Sequence, residues 1–384
     1  MDIPTWISFF ILVLLAFTSC VAVNGYQQLK KIDEVLPLPK DTLPEVSIIF
    51  SALNEEENIA AALRSLFKID YPNFEIIAIN DRSTDTTGEI LNRLALHNNC
   101  LRVIHIDHLP DLWLGKNHAL HQGAQHARGK YIVFTDADVI FDAKSILLAA
   151  SYCEQQQLDH LTLIPTLIAK THFLQLTLVN FTIGMLLRFK PWKVSSTLDH
   201  FMGVGAFNMV KRSAYDAAGQ HSAIALDILD DIILSKLMKD NGFKSSVLIT
   251  DKMVAVEWYN SPMSMFRGLQ KNIFAAFEFK ISKVVVASVL VFFLRIWPWY
   301  CAVFGEGINQ LIAATTLLIS LSLSNYFLAL FGWSRRALLY APLGGIFDLA
   351  LIWTGSLRVI FQKGIFWRGT FYSLPLLKEH QYRH

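Results

Sequence analysis

An α/β domain on a parallel sheet, held at a membrane by one hydrophobic segment before it and two or three after it, is the architecture this sequence predicts. Three observations point there. Strand-like and helix-like runs alternate at short intervals from Val46 onward, the pattern of a parallel sheet with crossover helices. Acid-rich polar turns follow three of the strands. Of 384 residues, 53% are hydrophobic and only 17% charged, a skew beyond that of an ordinary soluble domain, and the excess collects at the two ends.

At the N-terminus, Trp6 to Val23 carries no charge and is about long enough to cross a bilayer. A cleaved signal peptide is the competing reading. The leading "MDIPT" holds an acid and no base, and no A-x-A site follows, which favours a retained anchor over 1–26. Lys30, Lys31 and Lys40 follow it, so the positive-inside rule puts the next domain on the cytoplasmic side of the cell membrane. "LPLPKDTLPE", within 27–45, reads as a stiff linker. Beyond Lys283 the chain turns apolar again, and Val284–Phe304, Ile308–Trp333 and Ala337–Leu357 are three further candidate spans. They fall in a membrane bundle over 284–361, making the protein multi-pass, with a tail over 362–384. Arg295 sits mid-segment, costly in lipid, which leaves room for one of the three to be re-entrant or interfacial. The formal net charge of +2 provides no bulk basic field, so nucleic acid is excluded as a partner class. Cys20, Cys100, Cys153 and Cys301 lie far apart with no CxxC, and so suggest neither a zinc site nor a disulfide framework.

Between 46 and 283 the elements come in order. "EVSIIFSALNEEENIAAALRSLF" reads as strand, turn and helix, with Val46, Ile48, Ile49 and Phe50 strand-like and Ile59, Ala62, Leu63 and Leu66 at helical spacing. "FEIIAINDRSTDTTGEILNRLAL" repeats the pattern, its helix capped near Ser83 or Thr84. "LRVIHI" is a third strand, "GKNHALHQGAQHA" a helix, and "KYIVFT" a fourth strand. In such sheets ligands bind at the carboxyl ends of the strands. Asn54–Glu56, Asn80–Asp85 and Asp136–Asp138 each follow a strand and together make one acidic edge.

In an extended segment, residues i and i+2 project to the same side. Asp136 and Asp138 can then face one ligand, and hard oxygen donors of this kind suit Mg²⁺ or Mn²⁺. An Asx turn, in which Asp138 merely caps the next few residues, is the bland alternative. A second pair, Asp230–Asp231, opens the helix "DIILSKLMKDNGF", where acids also serve as caps and dipole partners. "FLQLTLVNFTIGMLLRF", Phe173 to Phe189, is apolar inside the soluble region and reads either as a buried helix or as one that dips into the membrane.

"SALNEEENI", "NDRSTDTTGEI", "WLGKNHALHQGAQHARGKYIVFTDADV" and "LDDIILSKLMKDNGF" resemble, in order, the motifs of family 2 glycosyltransferases with the GT-A fold, over roughly Val46 to Lys280. The layout is similar to membrane-anchored members that glycosylate lipids, such as ceramide glucosyltransferase-like and hopanoid-associated transferases. The resemblance implies a Rossmann-like GT-A nucleotide-sugar domain over 46–283 with one N-terminal and two to three C-terminal transmembrane helices. It also implies roles. Asn54 and Glu56 would line the nucleotide pocket, and Asp81 would accept a hydrogen bond from a uracil ring. Lys116 would approach the donor diphosphate, although a solvated lysine at a helix start is an equal reading. Asp136 would contact ribose or metal and Asp138 would hold the metal. Asp231, beside Asp230, would be the base that takes the acceptor proton in an inverting displacement, kept ionised by the helix dipole. Gly203 and Gly205 look like the acceptor-side loop.

Two departures from the family pattern stand out. "NDRSTD" replaces the common "DDGSTD", so that Arg82, where a glycine is usual, meets phosphates or points to solvent. The Gln-x-x-Arg-Trp of processive synthases is not completed, since Gln270 is followed by Asn272 and Ile273. Gln270 and Lys271 remain candidates on the acceptor side, with interfacial anchoring by Trp258 and Tyr259 as the alternative. The expected activity is transfer of one sugar from a nucleotide-sugar, UDP-linked, donor to a lipid acceptor, with a divalent metal as cofactor. A processive polysaccharide synthase and a catalytically silent sugar-nucleotide sensor are the alternatives. "FWRGTFYSL" near the C-terminus resembles the tail of the lipid-directed enzymes and takes no role from the sequence. Oligomeric state is left open.

Overall fold

The computed structural model describes residues 2–382. The first helix, α1 (Ile3–Gln27), is capped by Asp2, whose carboxylate accepts from the Thr5 amide, and has proline in its first turn. Its buried residues are mostly small or hydroxylated (Thr5, Ser8, Ser19, Ala22, Gly25), which allows close packing on other helices. Trp6, Phe10 and Phe17 stay exposed, as side chains that face lipid do. The linker after α1 is docked on the domain. Lys30 accepts from the Ile249 amide through its carbonyl (3.0 Å), Lys31 pairs with Asp251 (2.7 Å), and the Leu38 amide donates to Ser151 Oγ (2.9 Å).

The expected alternation is present: β1 (Val46–Ala52), α2 (Ile59–Leu66), β2 (Phe74–Asp81), α3 (Thr87–Ala95), β3 (Leu101–Ile106), α4 (Gly115–His126) and β4 (Tyr131–Asp136). β1 pairs in parallel with β2 and β4, and β2 with β3. Every residue of β1 is buried, as expected for a central strand covered on both faces. One face packs Ile48, Phe50 and Ile76 against α2 and α3; the other packs Ile49, Ile77 and Ile79 against α4. Gly123 lets α4 lie directly on Ile49, because a Cβ there would overlap that side chain.

Past β4 the sheet is mixed rather than wholly parallel. The chain runs through β5 (Ile140–Phe141), α5 (Ser145–Gln156), β6 (His160–Ile164), β7 (Thr166–Leu167), α6 (His172–Phe189), β8 (Asn208–Lys211), α7 (Arg212–Ala217), α8 (Asp230–Asp240), β9 (Ser245–Ile249) and β10 (Val254–Val256). The main sheet has the order β3-β2-β1-β4-β8-β6-β9, while β5, β10 and β7 form a small second sheet. β8 is antiparallel to both neighbours. Its register sets Asn208 opposite Phe134, so the loop leading into it arrives at the carboxyl end of β4. That loop carries Gly203 and Gly205.

After α9 (Pro262–Ala276) come α10 (Ile281–Arg295), α11 (Trp297–Phe304), α12 (Gly307–Leu330) and α13 (Ala341–Phe361). Among the described residues, four helical stretches are long and apolar enough to cross a membrane: Ile3–Gln27, Ile281–Phe304, Gly307–Leu330 and Arg335–Phe361. The third C-terminal candidate therefore has the length and composition of a span like the other two. Arg295 lies at the break between α10 and α11 and pairs with Asp348 of α13, which offsets much of the expense of a lone charge. The apolar run Phe173–Phe189 is α6 and belongs with the bundle: Phe173 packs on Tyr340 and Phe347. Trp258 packs on Phe181 and Tyr259 on Trp258, a partly buried aromatic cluster between α6 and α9. The tail forms a hairpin, β11 (Gly364–Trp367) and β12 (Thr370–Ser373), followed by α14 (Leu374–Glu379). It is described as far as Tyr382, and the last two residues of the expected tail lie outside the described residues. All four cysteines are free thiols.

Candidate active site

β4 ends at Asp136, and its carboxylate does not stand alone. Lys116, in the first turn of α4, reaches Asp136 Oδ1 at 2.9 Å and Asp230 Oδ2 at 3.1 Å. One ammonium thus ties the acid pair after β4 to the pair that opens α8. Burial works against the charge on Lys116, but Asp136, Asp230 and Asp231 outweigh it and hold the ammonium above the usual lysine range. Lys116 is therefore not a solvated helix-start lysine.

Asp138 is half-buried on the same edge. Burial first, then Asp136 and Glu55, push its carboxyl up to about 7. Asp231 is also raised, by burial and then by its neighbour Asp230, while Lys116 and the Ile232 amide (2.8 Å to Oδ1) pull the other way. The helix-dipole expectation gave an ionised Asp231; desolvation and a like charge beat the dipole here. A carboxyl held this way is poised to exchange a proton near neutrality.

Gly203 and Gly205 fill the space between the two pairs. A Cβ at Gly205 would stand 2.5 Å from Asp136 Oδ2, and one at Gly203 would overlap the Asp231 carbonyl. Asn208 Nδ2 donates to that same carbonyl at 3.3 Å. Asn117 Nδ2 donates to the carbonyls of Ile224 (2.8 Å) and Asp227 (3.0 Å), which orients the loop that launches α8.

The first turn differs in detail from expectation. Asn54 adopts a left-handed backbone (φ 56°) and accepts from the Thr84 amide at 2.8 Å. Glu56 accepts from the Thr86 amide (3.0 Å) and hydroxyl (2.6 Å). Both are exposed and cross-link two turns. Glu55 is the half-buried one whose charge acts on Asp138; burial raises its own carboxyl, with Arg368 opposing. Its signal lay in the phase of "NEEEN", which the left-handed Asn54 rotates. Asp81, at the end of β2, is fully buried with both oxygens engaged: Arg82 donates to them at 2.7 and 3.2 Å and Arg368 at 3.0 Å. Arg82 therefore lies on Asp81 and not in solvent. Gln270 links α9 to α13, donating to Thr354 Oγ1 (3.3 Å) and accepting from Arg358 (3.1 Å). The Lys271 ammonium sits 4.6 Å over the Trp367 ring, and burial, then Arg368 and Lys116, bring it down to about 8.

Residues 47–217 match the family model described as glycosyl transferase family 2. The chain carries a family 2 glycosyltransferase domain. The chain is 28% identical over 255 residues to the 4,4'-diaponeurosporenoate glycosyltransferase of Staphylococcus aureus (strain USA300), covering 65% of this chain and 66% of that one. In that alignment the chain spans about two thirds of the relative's length. The protein of the same name from strain bovine RF122 / ET3-1 is 26% identical over 384 residues, covering 96% of this chain and 98% of that one. Among solved structures, the mannosyltransferase PcManGT from Pyrobaculum calidifontis, in complex with GDP-Man and Mn²⁺, is similar in fold, with a TM-score of 0.58 at 18% identity over 94% of this chain and 100% of that chain. The fold is GT-A.

The acidic edge of the domain fits a divalent cation. Burial, then Asp136 and Glu55, raise Asp138 even with Lys116 opposing, so this edge would be eased by a further positive charge. Among the described residues no group of three or more His, Cys, Asp or Glu side chains forms a complete cage. Two carboxylates plus donor phosphates and water is the coordination Mg²⁺ commonly takes.

Proposed function

We propose that this enzyme transfers a single sugar from a nucleotide-sugar donor to a lipid-like acceptor, with inversion, at the cytoplasmic face of the membrane. The observation that carries the reading is Lys116 bridging Asp136 and Asp230, which unites a donor-side and an acceptor-side acid in one centre. On this reading Asp136 and Asp138 would hold a divalent cation, which when bound supplies charge neutralisation for the departing nucleoside diphosphate. Lys116 binds the same diphosphate, and Asp81 closes the base end of the pocket, with Asn54 and Glu56 bracing its rim. Asp231 accepts the proton of the attacking acceptor oxygen, while Asp230 and Lys116 keep its carboxyl aimed and poised. One in-line displacement inverts the anomeric carbon.

Membrane-length helices adjoining the catalytic domain, with α9 lying along α13 beside Gln270 and Lys271, support an acceptor that arrives from the bilayer. The named activity of the Staphylococcus aureus relatives, on 4,4'-diaponeurosporenoate, supports the same acceptor class. Lys30 and Lys31 after α1 support the cytoplasmic side. We assign 1–26 to the anchor, 27–45 to the docked linker, 46–283 to catalysis, 284–361 to the bundle and 362–384 to the tail.

The test offers purified full-length protein a panel of labelled nucleotide sugars with membrane lipid extract, with and without chelator, and weighs the products. One sugar per lipid, lost on chelation, is the expected result. A polymer, or no transfer from any donor, removes the reading.

A further inference from the structure

The motif "FWRGTFYSL" forms the hairpin β11–β12, which returns from the end of α13 to the catalytic domain. Its two-residue turn, Arg368–Gly369, has both residues at positive φ, 48° and 79°, as a tight type I′ turn requires. Glycine adopts that backbone freely, whereas arginine does so at a cost that its contacts must offset. Arg368 Nη1 donates to Asp81 Oδ2 at 3.0 Å and to Ser51 Oγ at 3.4 Å, at the carboxyl ends of β2 and β1. The Tyr372 hydroxyl donates to the Trp113 carbonyl at 3.0 Å, docking the hairpin where the chain enters α4. Trp367 lies under the Lys271 ammonium.

A structural latch alone does not account for this arrangement. Arg82 already matches Asp81 with two donors, through Nε and Nη2. A second guanidinium on the same buried carboxylate overcompensates it. Arg368 thus stands among cations: Arg82 shares Asp81 with it, and Lys271 is held down by burial and then by Arg368 and Lys116, with Asp230 and Asp136 opposing. Buried charge of one sign is expensive unless a counter-ion joins it. Among the described residues the Nε and Nη2 of Arg368 have no hydrogen-bond partner. Its side chain is 18% exposed and neither nitrogen is sealed off, so both are open to a ligand at a largely shielded site.

We propose that Arg368 is a donor-binding residue, delivered from the far end of the chain, whose unused N–H groups bind the anionic nucleoside diphosphate of the donor. The inference rests on the nucleotide-sugar reading above and adds to it a residue that follows the last membrane helix. The guanidinium fork suits phosphate oxygens in a way the single point charge of lysine does not.

The experiment titrates full-length protein in detergent with UDP and with GDP, and measures donor KM and kcat, for wild type, Arg368→Ala, Arg368→Gln and Arg368→Lys. Arg368→Ala and Arg368→Gln should weaken the preferred nucleotide by about tenfold or more and raise donor KM with a smaller change in kcat. Arg368→Lys should restore part of the loss. Arg368→Gln keeps a polar tip and, with an unchanged melting temperature, guards against a misfolded hairpin. Wild-type affinity in both neutral variants, or tighter binding, overturns the proposal and leaves the hairpin a latch or a plug. If wild-type protein itself binds neither nucleotide, the donor reading fails first and takes the proposal with it.

Discussion

Replacing Lys116 with methionine keeps the length of the side chain and removes its charge. The ammonium lies 2.9 Å from Asp136 and 3.1 Å from Asp230. At an effective dielectric of about 20, each contact represents roughly 5 kcal/mol of gross attraction. The two are not equivalent. Asp136 is 41% exposed, so solvent screens its share, whereas Asp230 is only 9% exposed and keeps most of it. Stripping one partner from a buried pair costs about 3–5 kcal/mol after desolvation is counted. Directed to donor binding and the transition state, that is roughly two to four powers of ten in kcat/KM for the donor. Initial rates over a donor series, alongside a thermal melt of each protein, separate a catalytic loss from an unfolded one. A folded Lys116→Met enzyme with kcat/KM within about threefold of wild type would refute the reasoning that this cation joins the two acid pairs functionally.

The raised carboxyl of Asp231 predicts a rate that climbs with pH from the ordinary carboxylate range towards neutrality and then levels, because the base must be unprotonated. Asp231→Asn should lower kcat about 10²–10⁴-fold while sparing nucleotide affinity; an unchanged kcat removes Asp231 from the role of base. For folding the sign is opposite: a carboxyl whose pKa is raised in the folded state stabilises below its unfolded value and loses that contribution as pH rises through the folded one. Melting temperature should therefore fall over the interval in which activity rises, and less so in Asp231→Asn. In the bundle, Arg295→Leu strands the Asp348 carboxylate beside α10 and should cut the yield of folded protein in detergent, with Arg295→Leu/Asp348→Leu recovering it; no recovery would mean that the pair is not what matters there.

The alternation from β1 to β4 was legible because each strand is a buried apolar run and each helix shows its face, as at Ile59, Ala62, Leu63 and Leu66. β8 was not. Four residues between a glycine-rich loop and a helix carry too little period, and only pairing reveals that the strand is antiparallel. The helix expected to start near Ser83 or Thr84 begins at Thr87, because the residues before it bond to Asn54 and Glu56 instead of continuing the spiral. Both acid pairs were visible as D-x-D and D-D, but the lysine that joins them was only half visible, since its meaning comes from spatial closeness. Glu55 was masked by one unusual backbone torsion. Arg368 stands 287 residues from its partner Asp81, and no local pattern foretells such a meeting.

The two flanks of the catalytic domain are both pinned. The segment after α1 is fastened to β9 through Lys30, and the tail returns to Asp81 through Arg368 and to Asp227 through the Tyr382 amide. On the proposed membrane reading, a body moored at both ends has little freedom to tilt over the bilayer, so its reaction centre would work at a set height above the lipid. If the acceptor comes from a bilayer as proposed, acceptors would then sort by reach: the reactive group would have to stand the same distance out from the hydrocarbon, and a longer or shorter stem would present it to an empty place.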